Sequence, residues 1–438
     1  KETIEYKQFP IELNENNIIN WVNMTLYIVK NTPNNTPTYS SRGFAYIGLT
    51  MYETVVYGNP NYNTMNGILN GLNNLPKPDL TQQYNWEIAL NAGQSYIISK
   101  IYDQTNSLNK AYILKLEQEI LHKLSTNTNQ DVIDRSIKYG ILVASTIFEW
   151  SKSDGGYQAY RQNLYPYYVK PTIAGALWIA PGTDVVSSPN FQGAVVDPLR
   201  LGPLHPYWGE NRNFLKTNAD LKVPAPVEYS DSVNSTCYRF YKDVYDSSSN
   251  LTTDQYNIIH WWGDDPTVTI TPPGHSYNIA KIIIEKENAD IFKSAQTLAM
   301  VGLAVGDAFI NCWKAKFTYY RPRPYYYIRN ILKKSTWTNI FPEPLFPSYY
   351  SGHAVQGAAF LTVLSNVYGE KYPFTDDTHV GRNATEIERT YFVTYNFRNF
   401  TSFWQAAEEI AYSRFYGGIH TQEDNIIGSR LHTDNFIK

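Results

Sequence analysis

The segment Asn109–Leu124, NKAYILKLEQEILHKL, shows the pattern that dominates this chain. Ile113, Leu116, Ile120 and Leu124 recur at steps of three and four residues and form one apolar stripe, with charged residues opposite. This period predicts an amphipathic helix that packs one face against a core. The same period predicts helices in further segments, at 15–30, 43–57, 84–106, 130–153, 276–293, 294–316, 351–368, 403–416 and 422–437.

Between these two groups of helices, residues about 154–275 have a different composition. Stretches such as LYPYYVKPTIAGALWIAPGTD and DPLRLGPLHPYWGENR are rich in Pro, Gly and Tyr and sustain no helical period. Long loops of this kind in a compact protein usually cover functional sites. We therefore predict an all-α fold in one domain, 1–438. Two helical bundles, about 15–153 and about 276–438, would pack together with the loops about 154–275 between them, and the second bundle would carry the active site.

Composition and charge narrow the class of protein. The 438 residues are 43% hydrophobic and 18% charged, which supports a sizeable core, and the net charge of −3 predicts no nucleic-acid partner. The apolar run 295–313 contains Gln296, Asp307 and Asn311, so we predict a buried core helix and no membrane span. The chain begins at Lys1 without Met, which fits a secreted or periplasmic product after signal-peptide removal as well as a trimmed chain.

The cysteines and histidines do not indicate a zinc site. Cys237 and Cys312 lie in no CxxC pattern, and the eight histidines form no HExxH motif. Cys312 follows an apolar helical run, so we expect a buried free thiol there. The sequence leaves open whether the two cysteines pair.

The stretch Trp313–Pro324, WKAKFTYYRPRP, contains two Lys–Arg pairs spaced by seven residues: Lys314 with Arg321 and Lys316 with Arg323. Positions two apart on a helix point about 200° apart, so both pairs cannot face one site on a continuous helix. The Arg-Pro dipeptides favour a helix end before them. Cations at a helix C-terminus and an anion-binding site both explain this stretch.

A second candidate segment is FPSYYSGHAVQGAAF, residues 346–360. Ser351 and Gly352 open an apolar helix, and the free N–H groups of such a helix start can bind an anion. His353 follows directly, within reach of a bound group. An ordinary capped helix with a surface histidine is the alternative.

The third candidate segment is SRFYGGIHTQED, residues 413–424. Arg414 and His420 lie six residues apart across a Gly-Gly pair that permits a sharp turn. Thr421 and Asp424 resemble a capping box, so another helix should begin just after His420. A plain helix–turn–helix corner is the alternative here.

Taken in order, KFTYYRPRP, SYYSGH and SRFYGGIH resemble the motifs of the vanadium-dependent haloperoxidases and their relatives, the type 2 phosphatidic acid phosphatases. A looser likeness extends to TPPGHSYNIA and HPYWGENR. The continuation RPYYYIR matches the family after Arg323, which favours the pair Lys316 and Arg323 over Lys314 and Arg321. One departure is Tyr350, which stands where the family has a proline before Ser-Gly-His.

The resemblance implies roles for the matching residues. Lys316, Arg323 and Arg414 would supply positive charge to a tetrahedral oxyanion, and Ser351 and the Gly352 N–H would complete its cradle. His420 would bind vanadium, or attack phosphorus in a phosphatase, and His353 would be the acid–base group. The implied cofactor is vanadate, and phosphate would fit the same site. The implied partners are hydrogen peroxide, a halide and a small organic acceptor.

Three further residues are candidates for the pocket beside the oxyanion. Phe346 falls where the family places an aromatic ring or a second histidine next to the halide. Trp262 and His275 are candidates for the entrance. Packing in the core or in a loop is the alternative for each of the three.

The resulting prediction is a soluble vanadium-dependent haloperoxidase that oxidises iodide or bromide more readily than chloride. An apolar wall at Phe346 favours strong activation of peroxide, whereas Tyr350 in place of proline favours a looser Ser351 turn and weaker activation. An acid phosphatase with the same cradle is one alternative. A secreted, aromatic-rich glycan-binding protein is a second, suggested by the 37 tyrosines and 10 tryptophans.

Overall fold

The structure, a computed structural model, describes residues 9–161, 168–180, 203–266 and 268–433. Within these ranges the regular structure is helical apart from one two-stranded sheet, which confirms the predicted all-α class. The α-helices are α1 (Asn17–Lys30), α2 (Pro37–Val55), α3 (Trp86–Ile101), α4 (Ser107–Ser125), α5 (Gln130–Ser151), α6 (Lys216–Ala219), α7 (Thr236–Ser248), α8 (Thr253–Trp261), α9 (Thr271–Lys286), α10 (Ile291–Tyr319), α11 (Pro324–Asn330), α12 (Gly352–Tyr368), α13 (Glu386–Thr390), α14 (Phe403–Tyr416) and α15 (Gln422–Thr433). The strands are β1 (Phe374–Asp376) and β2 (Arg398–Phe400), which pair antiparallel.

Helix α4 illustrates how the sequence produces these elements. Asn106 caps its start by accepting a hydrogen bond from the Asn109 N–H, which satisfies one of the free donors of the first turn. Ile113, Leu116 and Ile120, three members of the predicted stripe, are buried. The apolar period and the N-cap residue thus both predict the helix that the structure shows.

The chain divides into two compact units. Unit 1 comprises the described residues up to Tyr157 and the segment Asp265–Leu303, and unit 2 comprises the described residues of Gln158–Asp264 and Ala304–Lys438. The boundary between the units falls within α10. The division differs from the predicted bundle limits, because α9 packs against α1 and α2 and so belongs with the N-terminal helices.

Unit 1 is organised around α3, which packs against α2, α4 and α5. A Cβ atom added at Gly140 in α5 would lie 2.0 Å from the Ala89 carbonyl oxygen of α3. This glycine therefore allows the two helix backbones to approach more closely than any other residue would.

Unit 2 is organised around α12, which packs against α14 and α15. Its described residues also include α7 and α8, so the prediction of a middle region without helices is wrong there. Cys237, Tyr241 and Val244 form the buried stripe of α7 at steps of four and three residues. The tyrosines and serines of this segment obscured that period in the sequence. Residues 162–167 and 181–202 of the predicted loops lie outside the described residues.

One described segment, Ile291–Asn330, is long and apolar enough to cross a membrane. Its most apolar window is 89% buried inside the protein, as a core helix requires.

Candidate oxyanion-binding active site

The ammonium group of Lys316 lies in unit 2, near the C-terminal end of α10, and is fully buried. Its Nζ donates to the carbonyl oxygens of Pro347 (3.0 Å), Ser348 (2.8 Å) and Tyr350 (2.6 Å). Burial lowers the pKa of Lys316 to about 7, and the nearby Arg323 guanidinium acts in the same direction. A buried lysine that titrates near neutrality gains charge most easily when an anion lies beside it.

The alternative register of the motif has a different environment. Lys314 is exposed. Arg321 donates to the Val227 carbonyl, and its guanidinium lies 5.8 Å from the centre of the Tyr229 ring. The structure therefore brings Lys316 and Arg323 together in the buried site and leaves Lys314 at the surface.

The guanidinium of Arg323 is the centre of the cluster. Because a proline follows, Arg323 has an extended backbone and immediately precedes α11. Its Nε and Nη2 both donate to the Phe346 carbonyl, at 3.2 and 2.9 Å, and its Nη1 donates to the Ile419 carbonyl at 2.8 Å. Burial lowers the pKa of Arg323 to about 10, against the attraction of the buried Glu343 carboxylate.

The imidazole of His420 lies between a cation and a carboxylate. Arg323 Nη1 is 2.9 Å from His420 Nε2, and Asp424 Oδ2 is 2.8 Å from His420 Nδ1. Because a guanidinium can only donate, Nε2 must be the unprotonated nitrogen and Nδ1 must carry the proton. Burial, with Arg323 and Lys316 adding to it, holds the pKa of His420 well below its usual value, so the ring is neutral.

Two residues of this cluster were not identified from the sequence, Ser348 and Asp424. Ser348 Oγ donates to Asp424 Oδ2 at 2.6 Å, and the Thr421 N–H donates to the same oxygen at 3.2 Å. Asp424 thus combines its predicted capping role with the orientation of His420. Its position four residues after His420, one helical turn away, was the available signal. Burial raises the pKa of Asp424, while Ser348 and the two cations of the cluster oppose the rise.

The start of α12 provides the expected helix N-terminus. Ser351 is its N-cap, and its Oγ accepts a hydrogen bond from the Ala354 N–H at 3.3 Å. The Ser351 hydroxyl oxygen therefore caps the helix, and the hydroxyl proton is the group that it can donate to an oxyanion. A Cβ atom added at Gly352 would meet only Cys312 and Trp313, both at 4.0 Å, so open space adjoins the first turn.

The guanidinium of Arg414 and the imidazole of His353 form the other side of the cluster. Arg414 is buried in α14, with Nη1 donating to the Trp262 carbonyl at 3.2 Å and the guanidinium 4.1 Å from the centre of the Phe341 ring. Burial, then the charge of Arg414, holds the pKa of His353 well below its usual value. His353 Nε2 is buried and has no hydrogen-bond partner among the described residues.

The three pocket candidates lie in different surroundings. The Phe346 ring is partly buried, 5.2 Å from Lys316 Nζ and 5.3 Å from the Arg323 guanidinium, so it adjoins the cations directly. The Trp262 indole is buried and donates to Glu409 at 3.0 Å, while the Trp262 backbone contacts the cluster at Arg414 and at His353. His275 is buried in α9 of unit 1, and its entrance role stays a prediction.

Both cysteines are free thiols and buried. Cys312 Sγ donates to the Tyr350 carbonyl at 3.5 Å, next to Lys316. Burial raises the pKa of Cys312 to about 11, so this thiol stays protonated beside the site.

These residues fit a tetrahedral oxyanion. Three buried cations (Lys316, Arg323 and Arg414) lie near two neutral imidazoles, one of which has an unpartnered buried nitrogen. Burying this much positive charge is costly unless an anion accompanies it. The open space at Gly352, at a helix N-terminus, provides room and backbone donors for such a group. Lys316, Arg323 and Arg414 are the residues that would hold it, with His420 as the vanadium ligand.

Comparison with known proteins shows which proteins the chain resembles. A family model described as the VCPO second helical-bundle domain matches residues 296–434, which contain all three motifs. A solved bacterial vanadium-dependent iodoperoxidase superposes with a TM-score of 0.77 at 29% identity, covering 98% of this chain and 96% of that one. These likenesses support the resemblance of the chain to the vanadium haloperoxidases that the three motifs indicate.

Two further similar proteins share less sequence identity with the chain. The vanadium chloroperoxidase of Curvularia inaequalis is 25% identical over 262 residues, which cover 48% of this chain and 42% of that protein, so the alignment spans less than half of its length. A holo-type bacterial vanadium-dependent chloroperoxidase shares the fold, with a TM-score of 0.70 at 15% identity over 98% of this chain and 97% of that one.

Proposed function

We propose that this protein is a vanadium-dependent haloperoxidase, which combines a halide, hydrogen peroxide and a proton to give hypohalous acid and water. The observation that carries the proposal is the buried chain Arg323–His420–Asp424, beside Lys316 and at the start of α12. It presents an imidazole nitrogen to an oxyanion with its tautomer already fixed. The nearly full-length likeness to an iodoperoxidase at 29% identity supports peroxide chemistry over ester hydrolysis.

His420 is preorganised as a ligand by its two neighbours. Asp424 accepts the Nδ1 proton in a hydrogen bond, so the lone pair of Nε2 faces the Arg323 guanidinium. The low pKa of His420 keeps Nε2 unprotonated at neutral pH, so a metal bound there would replace the hydrogen bond from Arg323. Metal-binding histidines commonly use such a carboxylate to fix the ring and raise its basicity.

The cations neutralise the charge of the bound group. Lys316 contributes a point charge that its three carbonyl partners hold in place, and Arg323 and Arg414 contribute planar forks. Bound vanadate would act as a Lewis acid that activates hydrogen peroxide toward the halide. Because the donors are fixed before binding, they need little reorganisation during the reaction.

His353 is placed to move the proton. Its low pKa leaves Nε2 unprotonated, and this buried atom, which has no partner among the described residues, would accept the proton that hydrogen peroxide loses. A general base of this kind contributes about 10²–10⁴-fold in rate. The same imidazole could return the proton to the oxygen that leaves as water.

We propose iodide and bromide as the preferred halides. Iodide is the easiest of the three to oxidise, and chloride requires the most strongly activated peroxide. The nearly full-length likeness to a solved iodoperoxidase supports the less demanding halides.

The decisive experiment measures halide oxidation after the protein has been freed of oxyanions and then given orthovanadate. We expect almost no activity before the addition and a large rise after it, first with iodide. Hydrolysis of p-nitrophenyl phosphate is the parallel assay for the phosphatase alternative. Halide oxidation that is independent of vanadate, or efficient ester hydrolysis without it, would refute the proposal.

A further inference from the structure

A pocket of about 630 Å³ lies in unit 1, far along the sequence from the three motifs. The segments that line it are residues 83–87, 127–129, Val132 and 291–292. Its volume is in the range of small-molecule sites, about 300–1,000 Å³. Nothing in the proposed haloperoxidase reaction uses these residues.

The aromatic part of the lining is a stacked pair. The rings of Tyr84 and Trp86 lie 5.1 Å apart and 16° from parallel, and Phe292 lines the pocket with them. Trp86 is also edge-on to Tyr139 at 6.0 Å, which fixes the pair against α5. Partly buried aromatic rings of this kind present a rigid surface with a polar edge.

The polar part of the lining is anchored. The Asn85 and Asn129 side-chain oxygens cap α3 and α5, accepting from the Ile88 and Asp131 N–H groups. Their amide oxygens are therefore occupied. The Asn85 NH₂ group donates to Thr128 Oγ1 at 3.5 Å, and the Asn129 NH₂ group is left as an oriented donor. Asn129 Nδ2 makes no hydrogen bond with any part of the chain that the structure describes.

A carboxylate supplies the matching acceptor. One oxygen of Glu87 accepts a hydrogen bond from Asn17 Nδ2 at 2.6 Å, which anchors the group, and the other oxygen has no partner among the described residues. Gln83 and Asn127 add two exposed amides at the rim. Glu87 is the charged residue of the described lining, and its carboxylate disfavours anionic ligands. The Arg135 guanidinium, which lies 5.7 Å from the centre of the Tyr84 ring and donates to the Gln83 carbonyl, opposes this effect at the edge of the pocket.

We propose that this pocket binds a segment of a neutral carbohydrate chain. A pyranose ring has an apolar C–H face that suits an aromatic pair, and its neighbouring hydroxyls both donate and accept. Those hydroxyls can satisfy the Asn129 amide donor and the Glu87 carboxylate together, which neither an anion nor an apolar molecule can do. The proposal is independent of the chemistry in unit 2 and would place the protein on a glycan surface.

The test is isothermal titration of the full chain with cellohexaose, laminarihexaose, mannohexaose and xylohexaose, each to about 5 mM, and with hexagalacturonate as the acidic probe. We expect at least one neutral hexamer to bind in the submillimolar to millimolar range and the acidic one at least tenfold more weakly. Failure of all four neutral hexamers to bind, or equal binding of the acidic hexamer, would overturn the proposal.

Matched variants locate the binding. Gln83→Ala and Asn127→Ala remove exposed rim amides without touching the core, and each should weaken binding roughly three- to tenfold. Gln82→Ala and Thr126→Ala, at neighbouring exposed positions outside the lining, should leave it unchanged. Glu87→Gln should weaken the binding of the neutral hexamer and reduce the difference in affinity between the neutral and the acidic hexamers. Equal effects of rim and control variants would mean that the sugar binds elsewhere and would overturn the assignment.

Discussion

Replacing Lys316 by Met, with Lys314→Met as the matched control on the same helix, tests the central assignment. The two lysines are two residues apart, but one is fully buried and the other exposed. Lys316→Met should abolish most oxyanion binding, and Lys314→Met should not.

The effect of Lys316→Met on folding is a difference between two large contributions. Lowering the pKa from 10.5 to about 7 corresponds to a cost of roughly 5 kcal/mol for the buried charge. The three charge-assisted hydrogen bonds to carbonyl oxygens contribute about 1.5–3 kcal/mol each, or roughly 4.5–9 kcal/mol together. We therefore expect the free energy of unfolding to fall by at most about 4 kcal/mol, and by no more than about 0.5 kcal/mol in Lys314→Met.

The effect of Lys316→Met on binding is larger. Loss of one charge-assisted interaction with the oxyanion, about 1.5–3 kcal/mol, weakens binding roughly 10- to 150-fold. Titration calorimetry with orthovanadate and with phosphate measures this, and guanidinium unfolding confirms that each variant is folded. A folded Lys316→Met that binds within threefold of the parent, or a larger loss in Lys314→Met, would show that the cradle uses Lys314 with Arg321 instead.

Three further predictions concern the same site. His420→Ala should lose vanadate binding and activity together. His353→Ala should still bind vanadate and turn over about 10²–10⁴-fold more slowly. Equal vanadate affinities of the two variants in a binding titration would mean that the roles are misassigned. Anion binding needs the charged form of Lys316, whose pKa is about 7 before binding. The affinity for sulfate, whose charge is constant over this range, should therefore be full below pH 7 and fall up to tenfold per pH unit above it. A flat profile between pH 6 and 9, with no difference from Lys316→Arg, would contradict this. Phe346→His should change the iodide-to-bromide preference in steady-state assays. Vanadate affinity should change less than about fivefold, since the ring contributes only cation–π contacts to the oxyanion site. A change in vanadate affinity with no change in halide preference would mean that Phe346 is a packing residue.

Local signals in the sequence determined the helices and the three motifs. The apolar period of α4, the Ser351 cap of α12 and the reciprocal Thr421–Asp424 cap of α15 each depend on residues within one or two turns. Short-range hydrogen bonds and side-chain periodicity are properties of the segment itself, so the sequence alone predicts them. The order of the three motifs, a property of the sequence alone, likewise indicated the resemblance to the vanadium haloperoxidases.

Tertiary structure decided which of these residues meet. Lys316 finds its carbonyl partners more than 30 residues later, and Arg323 finds His420 97 residues later. Ser348 reaches Asp424 only because the segment before α12 packs against the start of α15, and no local pattern marks that contact. The assignment of α9 to unit 1 has the same origin in its packing on α1 and α2. Such contacts depend on how buried faces fit together over long sequence separations, and that information lies in the packing of the whole chain.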